Sequence, residues 1–177
     1  MYLEFFILIA DYFKSLNKRV ALYEWIFPLF FGVCIFTILF YGENSSATKV
    51  FKDNSINLLG ILAGFSITII TILTTGHSKN LENIKKKMTT VKIGKNTISL
   101  FQLLLINFTY SVILETFLII FCLTYPIFLS NFIVPLIPKI VIFSVLVFLI
   151  VHVLLLTIRN LTDFYLIITR PEKKANA

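Results

Sequence analysis

The chain has 177 residues, 58% of them hydrophobic, with a mean hydropathy of +0.90 and a formal net charge of +7. A soluble domain of this length cannot hide that much apolar surface. The composition excludes the ordinary soluble classes and makes the chain an integral membrane protein.

The first twenty residues, "MYLEFFILIADYFKSLNKRV", lack the order of a secretory signal, which runs from a basic stretch through an apolar run to small residues at a cleavage site. Glu4, Asp11, Ser15 and Lys18 recur instead at helical spacing on one face. Residues 1–20 are expected to form an amphipathic helix lying in the membrane interface. The alternative is a plain continuation of the first span.

Four stretches approach or exceed the roughly 20 apolar residues that a spanning helix needs: about 25–41, 56–76, 100–129 and 132–158. The first opens on Trp25 and closes on Tyr41, aromatic types that favour the lipid–water boundary. Pro28 falls in its expected first turn, where a missing N–H costs little. The third and fourth are separated by only a few residues around Ser130 and Asn131, so they form an antiparallel hairpin. The expected fold is an all-α integral membrane protein with four transmembrane helices and an N-terminal amphipathic interfacial helix. Its parts are the interfacial helix at 1–20, a transmembrane domain at 21–160 and a tail at 161–177.

Lysine and arginine positions set the expected orientation. Lys14, Lys18, Arg19, the lysines of loop 77–99, and Arg159, Arg170, Lys173 and Lys174 share one side of a four-span chain; Lys49, Lys52 and Lys139 take the other. Both termini and the central loop are therefore expected on the cytoplasmic side. The loop reads as a short basic helix followed by "VKIGKN". Ser99 with Gln102 has the form of a capping box that starts the third long helix.

Polar residues inside the spans are the candidates for function. In "GILAGFSITIITILTTG", Gly60 and Gly64 form a GxxxG row continued by Thr68 and Thr71, with Thr75 near it. Small residues let membrane helices approach closely; the partner is either a helix of the same chain or one of a second copy. Asn107, Ser111 and Glu115 share one face of the third span, and axial rise places His152 of the fourth at the depth of Asn107. A carboxylate near mid-span costs at least about 2.5 kcal/mol unless it faces protein or water. Three readings of this seam stay open: glue for the bundle, a switchable contact, or the lining of a pore.

The basic residues Lys85, Lys86, Lys87, Lys92 and Lys95, with Arg170, Lys173 and Lys174 of the tail, are expected to meet anionic lipid or an acidic partner protein. A basic run is not in itself a nucleic-acid fold, so no direct contact with nucleic acid is expected. Cys34 and Cys122 fall inside spans and read as packing residues. No spacing fits a metal site, a nucleotide loop or a catalytic triad, so neither cofactor nor metal nor enzymatic activity is expected.

The stretch "LLGILAGFSITIITIL", on a four-span chain with a lysine-rich inner loop, resembles the membrane subunits of the Kiwa anti-phage defence system. The resemblance implies a homo-oligomeric sensor or scaffold of the inner membrane that recruits a cytoplasmic DNA-binding effector. It implies no catalytic residues. The alternative expectation is an oligomeric pore-forming effector, with Glu115 on an axis shared by subunits, that depolarises the infected cell.

Overall fold

A backbone amide in hydrocarbon has no water to bond, so apolar segments must close their hydrogen bonds internally as helices. The computed structural model describes residues 2–42, 45–131 and 135–169. It contains four helical segments long and apolar enough to cross a membrane: Lys18–Tyr41, Val50–Thr75, Leu100–Ile127 and Leu136–Ile167. The chain is a multi-pass, all-α membrane protein with an additional N-terminal helix.

That N-terminal helix, α1 (Tyr2–Ser15), ends earlier than residue 20. The backbone turns extended at Asn17, and α2 (Lys18–Ala21) runs through a π-helical turn (Leu22–Ile26) into α3 (Phe27–Tyr41). Lys18 therefore opens the first span and does not continue the polar face of α1. The second span lies in α4 (Ser45–Thr75). It is followed by the short amphipathic α5 (Lys79–Lys86), whose N-cap Ser78 accepts from the Leu81 amide at 3.3 Å. The helix keeps Leu81 and Ile84 buried and its lysines outside.

The segment expected as an irregular loop is a β-hairpin. Strand β1 (Met88–Ile93) pairs antiparallel with β2 (Asn96–Ser99), with Ile93 opposite Asn96. Gly94 takes φ +64 in the two-residue turn, a conformation glycine adopts without a Cβ penalty. The register slips between Met88 and Lys92. There Thr89 stands in for ladder bonds: its hydroxyl donates to the Ile98 carbonyl at 2.7 Å and accepts from the Val91 amide at 3.3 Å.

Ser99 ends the hairpin and caps α6 (Leu100–Asn131) as expected. The Ser99 amide donates to Gln102 Oε1 at 2.9 Å, and the Gln102 amide donates to Ser99 Oγ at 3.2 Å. The last helix, α7 (Leu136–Thr169), runs well past residue 158, so Arg159 lies within it and not at its end.

Packing runs α3–α7–α6–α4, which makes α7 and α6 the inner pair and leaves the consecutive α3 and α4 on opposite flanks. One apolar cluster joins Leu59, Leu118, Leu146, Ile150 and Val153 of α4, α6 and α7. A second joins Ile69, Leu73, Leu104 and Phe108 to the buried face of α5. A third seats α1 on α6 and α7 through Tyr12, Tyr110 and Leu156. Gly32 permits a close approach of α3 to α7: a Cβ there would lie 3.1 Å from Phe148 Cβ and 3.3 Å from the Ser144 carbonyl.

Candidate functional site

The site grows from one proline. Pro28 lies in the continuous helical segment Lys18–Tyr41, not in its first turn. It has no N–H for the carbonyl four residues earlier, and its ring crowds that carbonyl. The carbonyl belongs to Glu24, inside the π-helical turn. His152 of α7 supplies the donor: its Nδ1 stands 2.6 Å from the Glu24 oxygen. A carbonyl only accepts, so Nδ1 carries the proton. The imidazole is held by Trp25, with ring centroids 4.4 Å apart, and by Phe148 at 6.4 Å.

The Glu24 side chain is fully buried on the same turn. Its Oε1 lies 2.6 Å from Arg159 Nη1 of α7 in an ion pair, and its Oε2 accepts from the Tyr12 hydroxyl of α1 at 2.7 Å. Tyr12 stacks on Tyr110 of α6, with centroids 3.7 Å apart and planes 7° from parallel. Burial first, then the Glu24 carboxylate, pushes the Tyr12 phenol above its ordinary range, so it stays protonated and donating. Asp163, one turn beyond Arg159, lies within reach of the same guanidinium charge. Four elements thus converge on one carboxylate: α1, the π-helical turn, α6 through Tyr110, and α7. A desolvated pair of this kind survives only where geometry and extra hydrogen bonds compensate its lost hydration.

A second polar cluster lies between α6 and α7. Ser111 donates to Glu115 Oε1 at 2.8 Å, Thr157 donates to the same oxygen at 3.1 Å, and the two hydroxyls are 3.1 Å apart. Buried Ser66 of α4 lies beside this carboxylate without closing a hydrogen bond to it. Glu115 is 0% exposed, so it points into its own chain.

The expected seam therefore splits. Ser111 and Glu115 meet, and Thr157 joins them. His152 belongs to the Glu24 cluster instead. Asn107 is buried, but its Oδ1 finds no hydrogen-bond partner among the described residues. The small-residue row Gly60, Gly64, Thr68 and Thr71 is exposed, and a Cβ at either glycine would meet nothing within 4 Å. Thr68 and Thr71 satisfy their hydroxyls on the carbonyls of Gly64 and Ile67 of their own helix. The glycine that brings helices together within the chain is Gly32. Lys85, Lys86, Lys87, Lys92 and Lys95 are all exposed, with the Lys85 ammonium 5.2 Å above the Phe101 ring. Arg170, Lys173 and Lys174 lie outside the described residues.

Glu24, Arg159, Tyr12 and Thr157 did not stand out in the sequence. Arg159 entered only as one of the charges that set orientation, and Glu24 carried no local motif. The available signal was Pro28, which announces a carbonyl at residue 24 in need of a donor from elsewhere. No protein-family model, no curated protein and no solved structure matches this chain.

Proposed function

We propose that this chain is a non-enzymatic sensor and scaffold of the bacterial inner membrane. It assembles with copies of itself, keeps both termini in the cytoplasm, and recruits a cytoplasmic DNA-binding effector as part of an anti-phage defence complex. The defence setting rests on the resemblance of the second span and the layout to Kiwa membrane subunits.

The observation that carries the reading is the clasp of Tyr12, Glu24 and Arg159. It ties a helix that lies against the bundle to the inner helix α7, at the end of the molecule where α5 and the hairpin gather their lysines. An interfacial helix responds to lipid packing. A buried ion pair tends to be either made or broken, because a half-made one leaves an uncompensated charge in low dielectric. Reseating α1 would therefore change α7 between discrete positions and with it the basic surface, which is the kind of two-state element a switch requires. The competing reading, a pore with Glu115 on a shared axis, draws no support from a carboxylate enclosed by its own chain.

Purification from native cells in mild detergent tests the proposal. The expected product is a homo-oligomer carrying a soluble partner that is lost when Lys85, Lys86 and Lys87 are changed to Glu. A partner-free monomer, from cells that plate phage equally well with and without the gene, overturns it.

A further inference from the structure

A cleft of about 880 Å³ opens where α1, the hairpin and the first turns of α6 meet. That volume is in the range of small-ligand sites, about 300–1,000 Å³. Its lining is divided by chemistry. Lys92 and Lys95 stand on the hairpin side, exposed, with Asn96 beside them. Asp11 of α1 stands across from them, already paired with Lys14 at 3.7 Å. The floor is apolar and is made by Leu105 and Ile106 of α6.

The position of that floor decides the ligand. Helix α6 begins at Leu100. Leu105 and Ile106 therefore lie about 8 Å along the axis of a membrane span. A ligand filling the cleft has its charged part at headgroup level and its apolar part against a helix that descends into hydrocarbon. An acidic peptide meets the first condition but not the second. The end of α6 is not itself an anion trap, because Ser99 and Gln102 already close its cap.

We propose that this cleft is a binding site for one anionic glycerophospholipid of the adjoining leaflet. Its phosphate sits between Lys92 and Lys95, headgroup hydroxyls reach Asn96 and Asp11, and one acyl chain lies along Leu105 and Ile106. Two ammonium groups facing one phosphate favour an anionic headgroup, such as phosphatidylglycerol, over a zwitterionic one. The hydroxyl donors of that headgroup give the Asp11 carboxylate a role that a bare phosphate would not. The site stands apart from the sensor reading and does not depend on it.

Native mass spectrometry of the full chain tests this, with phosphatidylglycerol and phosphatidylcholine added in equal amounts. One phosphatidylglycerol per chain should be retained in preference to phosphatidylcholine. Each lysine near a charged lipid surface contributes about 1 kcal/mol, so K92Q/K95Q should weaken retention roughly 30-fold. K92R/K95R should keep it. K86Q/K87Q removes the same charge outside the cleft and should leave retention close to wild type; thermal unfolding in the same detergent checks that all variants are folded. Equal loss in K86Q/K87Q and K92Q/K95Q would mean diffuse attraction and overturn the site. So would equal retention of the two lipids, or displacement of phosphatidylglycerol by equimolar glycerol phosphate or inorganic phosphate, which would make it a soluble-phosphate site.

Discussion

Arg159 Nη1 stands 2.6 Å from Glu24 Oε1 and joins the last span to the first. The Glu24 carboxyl is fully enclosed, and the Arg159 side chain is 19% exposed. Removing one partner strands the other charge. Arg159→Met alone should cost about 3–5 kcal/mol of stability, whereas the double change Glu24→Leu with Arg159→Met should recover much of that loss. Equilibrium unfolding in detergent measures both. Additive losses would show that the pair is not the unit described.

His152 and Pro28 form a second testable couple. His152→Ala leaves the Glu24 carbonyl without a donor and should cost about 1–3 kcal/mol. Pro28→Ala returns a backbone N–H to the position that the carbonyl lacks. In that background His152→Ala should cost distinctly less, and unfolding of the two single variants and the double variant gives the coupling directly. An undiminished cost would mean that the ring matters only for packing against Trp25.

The two kinds of glycine make opposite predictions. Gly32→Leu should destabilise the isolated chain by at least about 1–3 kcal/mol, since the new side chain collides with Phe148 and the Ser144 carbonyl. Gly64→Leu meets open space and should change the isolated chain by no more than about 0.5 kcal/mol. The same Gly64 variant should weaken self-association, measured by energy transfer between labelled copies in bilayers. Unchanged energy transfer would assign this row to lipid.

Tyr12 gives a pH signature. Its phenol is held above the ordinary value of 10.0, so the folded state binds that proton more tightly than the unfolded state. The contribution is therefore fully present below pH 10 and declines as pH rises beyond it, by up to about 1.4 kcal/mol per pH unit. The difference in stability between wild type and Tyr12→Phe should shrink across that alkaline window and stay constant between pH 6 and 9. A constant difference through pH 11 would contradict the burial of this hydroxyl.

The parts of this structure that were readable in the sequence are those governed by local rules. Long apolar runs became spans because lipid leaves the backbone no alternative to helix. Ser99 and Gln102 became a capping box because three residues separate them. The hairpin was equally local but was masked by its lysines. "MTTVKI" has the period-two alternation of a strand, and glycine at the first place of a two-residue turn is a hairpin signal. The clasp was not readable, because nothing near Glu24 names Arg159 as its partner. Ser111 and Glu115, one turn apart, could be placed together; Thr157 could not be added, because axial depth says nothing about which face of α7 turns inward.

The length of α7 has a mechanical consequence. Its 34 residues make a rod of about 51 Å, against a hydrocarbon layer of about 30 Å. At the usual tilt of about 20° such a rod extends beyond that layer, and it is clamped by Glu24 partway along. A clamped rod that leaves the bilayer acts as a lever with its fulcrum at the clamp. Small rotations among the lipid-embedded turns sweep the free end through an arc that grows with its distance from the pivot.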